Sequence, residues 1–310
     1  MNTKIKVVGV GGAGCNAVSR MASCKIQGVE LIAVNCDAQD LQRTRAHKKI
    51  RIGQTLTLGL GAGMNPCIGR QSADENRQEI KQMLQGSDMV FITAGLGGGT
   101  GTGAAPVVAE LAKSVKALVV AVVTTPFVFE GIHRSQVAKQ GLEELKEKVD
   151  TLLIINNNKV LTQGNKNSTL LSAFWACDEV LRQAVQGITD LILMPGIVNV
   201  DFADIKNIMK DSGPAFFGIG KAHGEKRVEM AASMAVSSPL LDFSIKGAKG
   251  ILFNVSGGND LSLTEINEAA KIITQYTNTK AKVIFGAVYD RRLQKGEIKI
   301  TVIATGFEQK

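Results

Sequence analysis

The chain alternates short apolar runs with longer stretches in which apolar residues recur every three or four positions. In the first half the apolar runs are IKVVGV, VELIAVN, DMVFITA, ALVVAVVTT and DTLLIINN, and helical patterns lie between them. Runs this apolar are typical of strands buried on both faces, as in a parallel sheet covered by helices. The pattern therefore predicts an α/β domain with a Rossmann-like parallel sheet.

One long helix is predicted next. From Ser168 onward apolar residues recur at helical spacing until the pair Pro195 and Gly196 stops the pattern. About 25 residues at 1.5 Å each would make a helix of about 37 Å, which is the width of a small domain. We expect three parts: a nucleotide-binding domain over 1–166, a central helix over 167–196 and a C-terminal domain over 197–310.

The last part predicts a smaller α/β domain with a mixed sheet. The strand-like runs AFFGIGKA and GILFNVSG alternate with helical patterns, and the chain then has two consecutive strands, KVIFGAVYD and EIKITVIATGF, joined by RRLQKG. Consecutive strands with a short polar connection usually pair, so we expect these two to form an antiparallel pair.

Composition is typical of a soluble globular protein. The 310 residues are 45% hydrophobic and 21% charged, which is enough to bury a core in each of two domains. No apolar run reaches the ~18 residues of a membrane span, and the first residues lack a signal-peptide pattern. We expect a cytoplasmic protein without direct membrane insertion.

Aromatic content and cysteine spacing argue against a nucleic-acid site and against disulfides or a metal site. The net charge is +8, and a cluster of arginines and lysines at Arg43, Arg45, Lys48, Lys49 and Arg51 contributes to it, but aromatic residues make up only 5% of the chain. A base-stacking platform is therefore disfavoured, and we expect no nucleic-acid partner. The five cysteines form no C-x-x-C pair and the three histidines are scattered, so we expect neither disulfides nor a dedicated metal site.

The first glycine loop, GVGGAGCN, has the G-x-G-x-x-G spacing at Gly9, Gly11 and Gly14. It follows a predicted strand and begins a predicted helix, and Asp37 ends the next strand, where a dinucleotide fold places its ribose-binding acid. An NAD-dependent oxidoreductase is thus one hypothesis.

A second glycine loop, GLGGGTGTG, changes that picture. It follows the strand DMVFITA, and Pro106 is placed for the first turn of the helix behind it. Two glycine loops let two helix N-termini converge on one anion, which suits a triphosphate, and the hydroxyls of Thr100 and Thr102 add donors. The chain has no Walker lysine motif, so we expect backbone donors and an Mg²⁺ ion held mainly by phosphates and water.

The motifs taken together resemble the tubulin/FtsZ family of GTPases, in particular its bacterial cell-division members. GLGGGTGTGAAP resembles the family signature, and the others occur in family order over nearly the whole chain: GVGGAGCNAV, VNCDAQDL, GLGAGMNP, TTPFVFEG, DEVLRQAVQGI, PGIVNVDFAD and SSPLL. The resemblance implies a GTPase that polymerises head to tail into the filaments of the division ring, with GTP or GDP between subunits.

The resemblance also implies which residues bind the nucleotide. They are Gly11, Gly12, Ala13, Gly14, Cys15 and Asn16 in the first loop, Asp37 near a second, Gly61, Ala62 and Gly63 in a loop that senses the γ-phosphate, Gly95, Gly97, Gly98, Gly99, Thr100 and Gly101 in the phosphate cradle, Glu130 and Arg134 beside the ribose and phosphates, and Asn157, Phe174 and Asp178 around guanine. Guanine offers two adjacent donors on one edge, which a carboxylate such as Asp178 can accept and adenine cannot supply. This predicts GTP over ATP.

Two stretches depart from the family pattern. The residues Asn156 to Lys159 stand where the family usually has a Pro-Asn-Asp-Arg type of loop, although the asparagine implied to contact the base, Asn157, is kept. Met64 replaces the small residue that usually follows GAG.

The segment VNVDFADIKN supplies Asn199, Asp201 and Asp204 at the start of a helix. One interpretation is helix capping, with Asp201 as the N-cap. The other follows from position along the chain: the acids come after the end of the long helix, roughly 30 Å from the guanine residues near its start. They would then act on the nucleotide of a neighbouring subunit, and the resemblance implies that Asp201 and Asp204 position the attacking water, supported by Asn199.

The resemblance implies partners and a location as well. The chain itself is the first partner, and division-ring adaptors would bind a C-terminal tail that we expect to lie outside this chain. The location would be the mid-cell division site. A tubulin-like filament for DNA segregation remains an alternative, since its fold and chemistry would be the same.

Overall fold

The computed structural model describes residues 3–163, 169–194, 196–237, 245–277, 281–290 and 292–307. The chain divides into two compact units, Met1–Gln186 and Gly187–Lys310. Ser168, Pro195, the predicted boundary at 166/167 and most of the SSPLL motif lie outside the described residues. The three-part division of the chain stays a prediction.

The first unit contains a six-stranded sheet in which every strand pairs in parallel with its neighbours. Its order is β3-β2-β1-β4-β5-β6, and the strands are β1 (Ile5–Val10), β2 (Val29–Asn35), β3 (Lys48–Arg51), β4 (Met89–Gly95), β5 (Leu118–Thr125) and β6 (Thr151–Asn156). Successive side chains point to opposite faces, and Val7 and Val8 are 0% and 1% exposed. Both faces are therefore covered, which confirms the Rossmann-like prediction.

Helices cover this sheet and connect its strands. They are α1 (Gly11–Ser23), α2 (Ala38–Arg43), α3 (Gln54–Thr57), α4 (Pro66–Glu75), α5 (Arg77–Leu84), α6 (Gly99–Ser114), α7 (Ile132–Lys148) and α8 (Asn157–Gln163), with a 3₁₀ turn at Val128–Glu130. The long helix α9 (Leu170–Leu193) follows and confirms the predicted helix.

The prediction that Pro106 begins a helix is wrong, because α6 begins at Gly99, inside the glycine loop, and Pro106 lies within it. The reason is tertiary packing. A Cβ atom added to Gly103 would lie 1.9 Å from the carbonyl oxygen of Pro66, and one added to Gly69 would lie 2.3 Å from that of Gly99. The glycines thus let α4 and α6 approach backbone to backbone, which overrides their low helix propensity.

The second unit contains a mixed sheet, as predicted. Its order is β8-β11-β9-β10-β7, and the strands are β7 (Gly196–Val198), β8 (Gly213–His223), β9 (Gly250–Gly257), β10 (Lys282–Tyr289) and β11 (Glu297–Thr305). Only β9 and β10 pair in parallel among the described strands of this sheet. The helices are α10 (Phe202–Met209), α11 (Arg227–Val236) and α12 (Leu263–Thr274).

The predicted antiparallel pair of the last two strands is wrong. Strand β9 lies between β10 and β11, and pairs in parallel with the first and antiparallel with the second. All eight residues of β9 are buried, so this strand needs a neighbour on each side. Directly after β10, Asp290 donates its N–H to the carbonyl of Gly257 at the end of β9.

No helix in the described ranges is both long and apolar enough to cross a bilayer.

The close contact between α4 and α6 gives a stability prediction. We expect Gly103→Ala to lower the free energy of unfolding by about 1–3 kcal/mol, because the new methyl group meets backbone that cannot rotate away. Chemical denaturation followed by circular dichroism measures the change. Glu110→Ala is the matched control on the same helix, since it removes only exposed ion pairs with Arg77 and Lys148. An unchanged midpoint for Gly103→Ala would contradict the packing described.

Candidate functional site

The predicted nucleotide loops meet at the carboxyl ends of β1, β2 and β4, the edge at which open α/β sheets bind ligands. A Cβ atom added to Gly11 would lie 2.8 Å from the amide nitrogen of Gly101, and one added to Gly95 would lie 2.6 Å from Cβ of Ala13. The first and second glycine loops therefore pack directly against each other.

The loop predicted to sense the γ-phosphate joins the same cluster. A Cβ atom added to Gly99 would lie 2.8 Å from Cβ of Ala62, and one added to Gly61 would lie 4.0 Å from Oδ2 of Asp37. Gly63 has a left-handed φ of 54° and open space around it. Four segments that are distant in sequence thus line one site.

The cradle itself presents backbone donors. Gly98 is the N-cap of α6 and no side chain caps this helix end, so the first amides of α6 are left to an external acceptor. Gly97 has a φ of 102°, which favours glycine, and donates its N–H to Oγ1 of Thr102 at 2.9 Å. The side chain of Thr102 therefore holds the glycine loop in place by this hydrogen bond, while Thr100 lies in the first turn of the helix. An anion is the ligand that such a helix end accepts.

Glu130 and Arg134 lie beside the cradle. Arg134 is paired with Glu130, whose other oxygen accepts the N–H of Phe127 at 2.9 Å. A Cβ atom added to Gly97 would lie 2.9 Å from the backbone oxygen of Arg134. Both side chains are only partly buried, so they are accessible to a ligand held by the cradle.

Met64 contacts the same arginine, although the sequence analysis assigned it no role beyond a departure from the family pattern. Its φ is 61°, a left-handed conformation that is uncommon outside glycine, and its sulfur lies 3.9 Å from Nη2 of Arg134. The side chain thus connects the γ-phosphate loop with α7.

The residues predicted around guanine come together next to this ion pair. The ring of Phe174 packs edge-on against that of Phe127 with centroids 5.2 Å apart. Val128 donates its N–H to Oδ1 of Asn158 at 2.9 Å. The segment that carries Glu130 therefore contacts both α9 and the start of α8, where Asn157 lies.

Asn157 carries an unpaired acceptor. The residue is 5% exposed, and its Oδ1 atom has no hydrogen-bond partner among the described residues. An unsatisfied buried polar atom costs about 1–3 kcal/mol, so such an atom indicates a ligand or another functional reason. A nucleobase with N–H donors on its edge supplies the missing partner.

Asp178 is the second polar group at this end. It is partly buried, and burial raises the pKa of its carboxyl from 3.8 to about 7, with the charge of Arg20 acting in the opposite direction. Any ligand that offers this buried carboxylate two hydrogen-bond donors stabilises its ionised form. Sequence reasoning missed Arg20, which lies in α1 and approaches α9 only in the folded chain.

Cys15 faces away from the site. Its thiol is buried and donates weakly to the carbonyls of Gly9 and Val34, both at 3.9 Å. Burial, with a smaller effect of the Asp40 charge, raises the pKa of the thiol to about 12. Only the backbone of Cys15 can therefore face a nucleotide, whereas the side chain of Asn16 is exposed.

Asp40 is a further residue that the sequence analysis missed. Its Oδ2 lies 3.3 Å from the position of a Cβ on Gly12, and it accepts a hydrogen bond from Asn35 at 2.7 Å. Burial and then the neighbouring charge of Asp37 raise its pKa. The spacing of the two acids could have identified it. Asp40 follows Asp37 by three residues, as expected when an N-cap side chain accepts a backbone N–H, and Asp37 caps α2 in this way.

The predicted catalytic acids lie in the second unit. Asp201 is the N-cap residue of α10 by position, but its side chain makes no capping hydrogen bond. No hydrogen bond or ion pair of either the Asp201 or the Asp204 carboxylate is found among the described residues. Asn199 instead accepts the N–H of Gly196 at 2.7 Å. The capping interpretation is thus unsupported at the side-chain level, and both carboxylates remain free to act on a ligand.

The described residues contain no cluster of three or more metal-ligating side chains. Asp37 and Asp40 are two carboxylates that lie against the glycine loops, and oxygen atoms are the ligands that Mg²⁺ prefers. These residues fit a magnesium ion that takes most of its ligands from phosphates and water.

Comparison with known families gives two matches. The GTPase domain of the Tubulin/FtsZ family matches residues 4–165, and the C-terminal domain of the FtsZ family matches residues 213–308. One match lies in each compact unit.

Solved structures agree with these matches. An empty FtsZ dimer from M. jannaschii shares 49% identity with a TM-score of 0.94, covering 99% of this chain and 89% of that one. CetZ2 from Haloferax volcanii, a GTPγS-bound protofilament, shares 22% identity with a TM-score of 0.83, covering 99% and 94%. At that identity CetZ2 shows the fold alone.

These matches do not favour the two alternative functions, an NAD-dependent oxidoreductase and a filament for DNA segregation. The 49%-identical FtsZ is archaeal, so the matches do not support the assignment to bacteria within the family, and that assignment stays a prediction.

The orphaned oxygen of Asn157 gives a prediction that separates binding from stability. We expect Asn157→Ala to weaken GDP binding by about tenfold, because the base loses an acceptor, while the ligand-free protein unfolds at the same or a higher denaturant concentration. Calorimetric titration and denaturation measure the two effects. Asn156→Ala is the control, because the Asn156 side chain accepts the Asn158 N–H at 3.0 Å and should affect stability more than binding. A large loss of stability in Asn157→Ala would contradict the unpaired state.

Proposed function

Because the chain belongs to the Tubulin/FtsZ family, we propose that it is a GTPase that assembles head to tail into filaments for cell division. The observation that carries this proposal is the convergence of two glycine loops, each leading into a helix N-terminus, beside a buried acceptor at Asn157 and a half-buried carboxylate at Asp178. One end of the site suits phosphates, and the other suits a purine with donors.

The base end favours guanine over adenine. The N1–H and the 2-amino group of guanine are adjacent donors that an ionised Asp178 accepts together, whereas adenine presents an acceptor at N1. A site built around buried polar groups rejects a base that leaves them unpaired, often by several orders of magnitude. The ring of Phe174, partly exposed at the same end, offers a surface for the base.

Hydrolysis in this proposal depends on placement and electrostatics, without a covalent intermediate. The first amides of α6 hold phosphate oxygens, and Arg134, released from Glu130, adds a positive charge. A bound Mg²⁺ would neutralise phosphate charge, with ligands mainly from phosphates and water and with Asp37 and Asp40 nearby.

The water is activated from a neighbouring subunit. Asp201 and Asp204 would position and polarise it, because their carboxylates have no partners among the described residues, and Asn199 would hold the loop through its bond to Gly196. The spacing along the chain predicts that these acids are too far from their own subunit's guanine residues, which supports action in trans. A contact of this kind is heterologous, and one that does not close produces a filament.

The proposed setting is the cytoplasm at the division site. Division-ring adaptor proteins would be further partners. The basic cluster around Arg43 to Arg51 has no function in this proposal.

Guanine recognition by Asp178 can be tested by exchanging the base. Asp178→Asn replaces one acceptor with a donor, so we expect it to lose affinity for GDP and to gain affinity for xanthosine diphosphate, whose 2-carbonyl accepts from the new amide. Competition binding measures the preference, which should change by at least about tenfold. The control is Asp74→Asn, an exposed aspartate paired with Arg77, which should leave the preference unaltered. If Asp178→Asn weakens both nucleotides equally, Asp178 does not contact that edge of the base.

Catalysis in trans can be tested by mixing subunits. We expect Asp204→Ala to bind GTP normally and to lose turnover by about a hundredfold or more, because the attacking water loses its partner. Adding Asn157→Ala subunits, which bind nucleotide weakly but keep both acids, should restore part of the activity, measured as phosphate release.

The control for this test is Glu229→Ala, which removes an exposed first-turn acid from α11 and should leave turnover unchanged. Activity per subunit should also fall towards zero on dilution. Loss of GTP binding in Asp204→Ala would place this acid in the binding pocket, and constant activity at nanomolar protein would mean a self-contained site.

A further inference from the structure

Helix α1 is joined to the start of α9 by one arginine. The Nε atom of Arg20 lies 3.2 Å from Oε2 of Glu179, and its guanidinium carbon lies 5.5 Å from the centre of the Trp175 ring. Both partners belong to α9 and flank Asp178 on that helix. Stacking on an aromatic face and pairing with a carboxylate together restrict the guanidinium more than either contact would.

Glu179 is a fixed anchor for this arginine. Its two oxygens also accept hydrogen bonds from Arg182 at 2.8 and 2.5 Å and from Gln183 at 3.0 Å. Burial by itself would raise the pKa of Glu179, but the hydrogen bonds from Arg182, Gln183 and Arg20 lower it to about 2. The anchor is therefore ionised at any physiological pH, and Arg20 stays in place.

Asp178 lies next to this anchor without sharing it, and no hydrogen bond to its carboxylate is found among the described residues. The positive charge that acts on it comes from Arg20 in α1, which opposes the effect of burial. On α9 its neighbours are Cys177, whose thiol has a pKa raised to about 12, and the carboxylate of Glu179. Glu130, from the 3₁₀ turn, acts on Cys177 and carries the same sign as Asp178.

We propose that Arg20 is the positioning residue of the guanine site: fixed against α9 by Glu179 and Trp175, it favours the ionised form of Asp178, in which the carboxylate can accept both donors of the base. This inference rests on the proposed function, since it concerns the group that reads guanine. Arg20 acts through Asp178. Burial makes guanine recognition sensitive to pH by raising the pKa of this carboxyl, and the charge of Arg20 limits that rise.

The sign of the pH effect follows from the direction of the pKa shift. A protonated Asp178 offers a donor where guanine also has donors, so only the ionised form binds well. With a pKa of about 7, the fraction of ionised Asp178 falls about tenfold between pH 8 and pH 6, and guanine affinity should fall with it. Removing the charge of Arg20 should move this loss to higher pH.

The first experiment needs no nucleotide. Trp175 is the only tryptophan of the chain and lies three residues from Asp178, so its fluorescence should report the charge of that carboxyl. In the ligand-free protein we expect a fluorescence step with a midpoint near pH 7. Asp178→Asn should abolish the step.

Three arginine variants then test the role of the charge. Arg20→Gln should move the midpoint to higher pH, and Arg20→Lys, which keeps the charge, should hold it near that of the unaltered protein. Arg77→Gln is the control, because it removes the same charge from exposed ion pairs with Asp74 and Glu110. It should leave the midpoint unchanged.

Binding of GDP between pH 6 and pH 8.5 provides the second readout. At pH 7 we expect Arg20→Gln to bind GDP several-fold more weakly than the unaltered protein and to recover most of this loss at pH 8.5. The nucleotide phosphates also titrate near neutral pH, so Asp178→Asn serves as the reference for that contribution. A loss that persists unchanged at pH 8.5 would mean that Arg20 is only structural and would overturn the inference.

Two other outcomes would also contradict it: a fluorescence step that survives in Asp178→Asn, or a midpoint that Arg20→Gln does not move. Failure of the proposed function would look different. Equal binding of GDP and ADP by the unaltered protein at pH 8.5, with the fluorescence step still dependent on Arg20 and Asp178, would leave the electrostatic pair intact and remove its role in guanine recognition.

Discussion

The approach of backbone to backbone at a few glycines is the constraint on which the site depends. A Cβ on Gly11 would meet Gly101, and one on Gly103 would meet Pro66. Side chains at these positions would separate the two glycine loops, and α4 would no longer pack on α6. The N-cap of α6 is also a glycine, Gly98, so no side chain caps the first amides of this helix and they can bind an anion.

The base end follows a different rule, because it keeps polar groups that the fold does not satisfy. Asn157 has a buried oxygen without a partner among the described residues, and burial holds the pKa of Asp178 at about 7. Each is a cost in the ligand-free protein that a base with suitable donors removes. In the proposed function, specificity for guanine thus comes from polar groups that lack partners within the described part of the ligand-free protein. Arg20 limits how far one of them, the Asp178 carboxylate, is neutralised by protonation.

Much of the fold was predictable because apolar periodicity reflects burial directly. The strands of the parallel sheet and the long helix occur where the runs and spacings indicate them. The errors concern contacts between distant segments. Pro106 looked like a helix start because local rules place proline there, but packing of α4 on the glycines began the helix earlier. Strands β10 and β11 looked like a hairpin, yet the buried strand β9 took the place between them.

The alternation of strands and helices, the two glycine loops and the chemical groups that a nucleotide could contact can all be read from the residues, because they depend on residue type and local spacing. Which of these groups remain unpaired, and which already have a partner, depends on the folded chain. Thr102 and Asn199 bond to backbone, Cys15 faces the core, and Arg20 reaches α9 from α1. Burial and charge at a given atom are sums over neighbours from distant parts of the chain, so local sequence cannot set them.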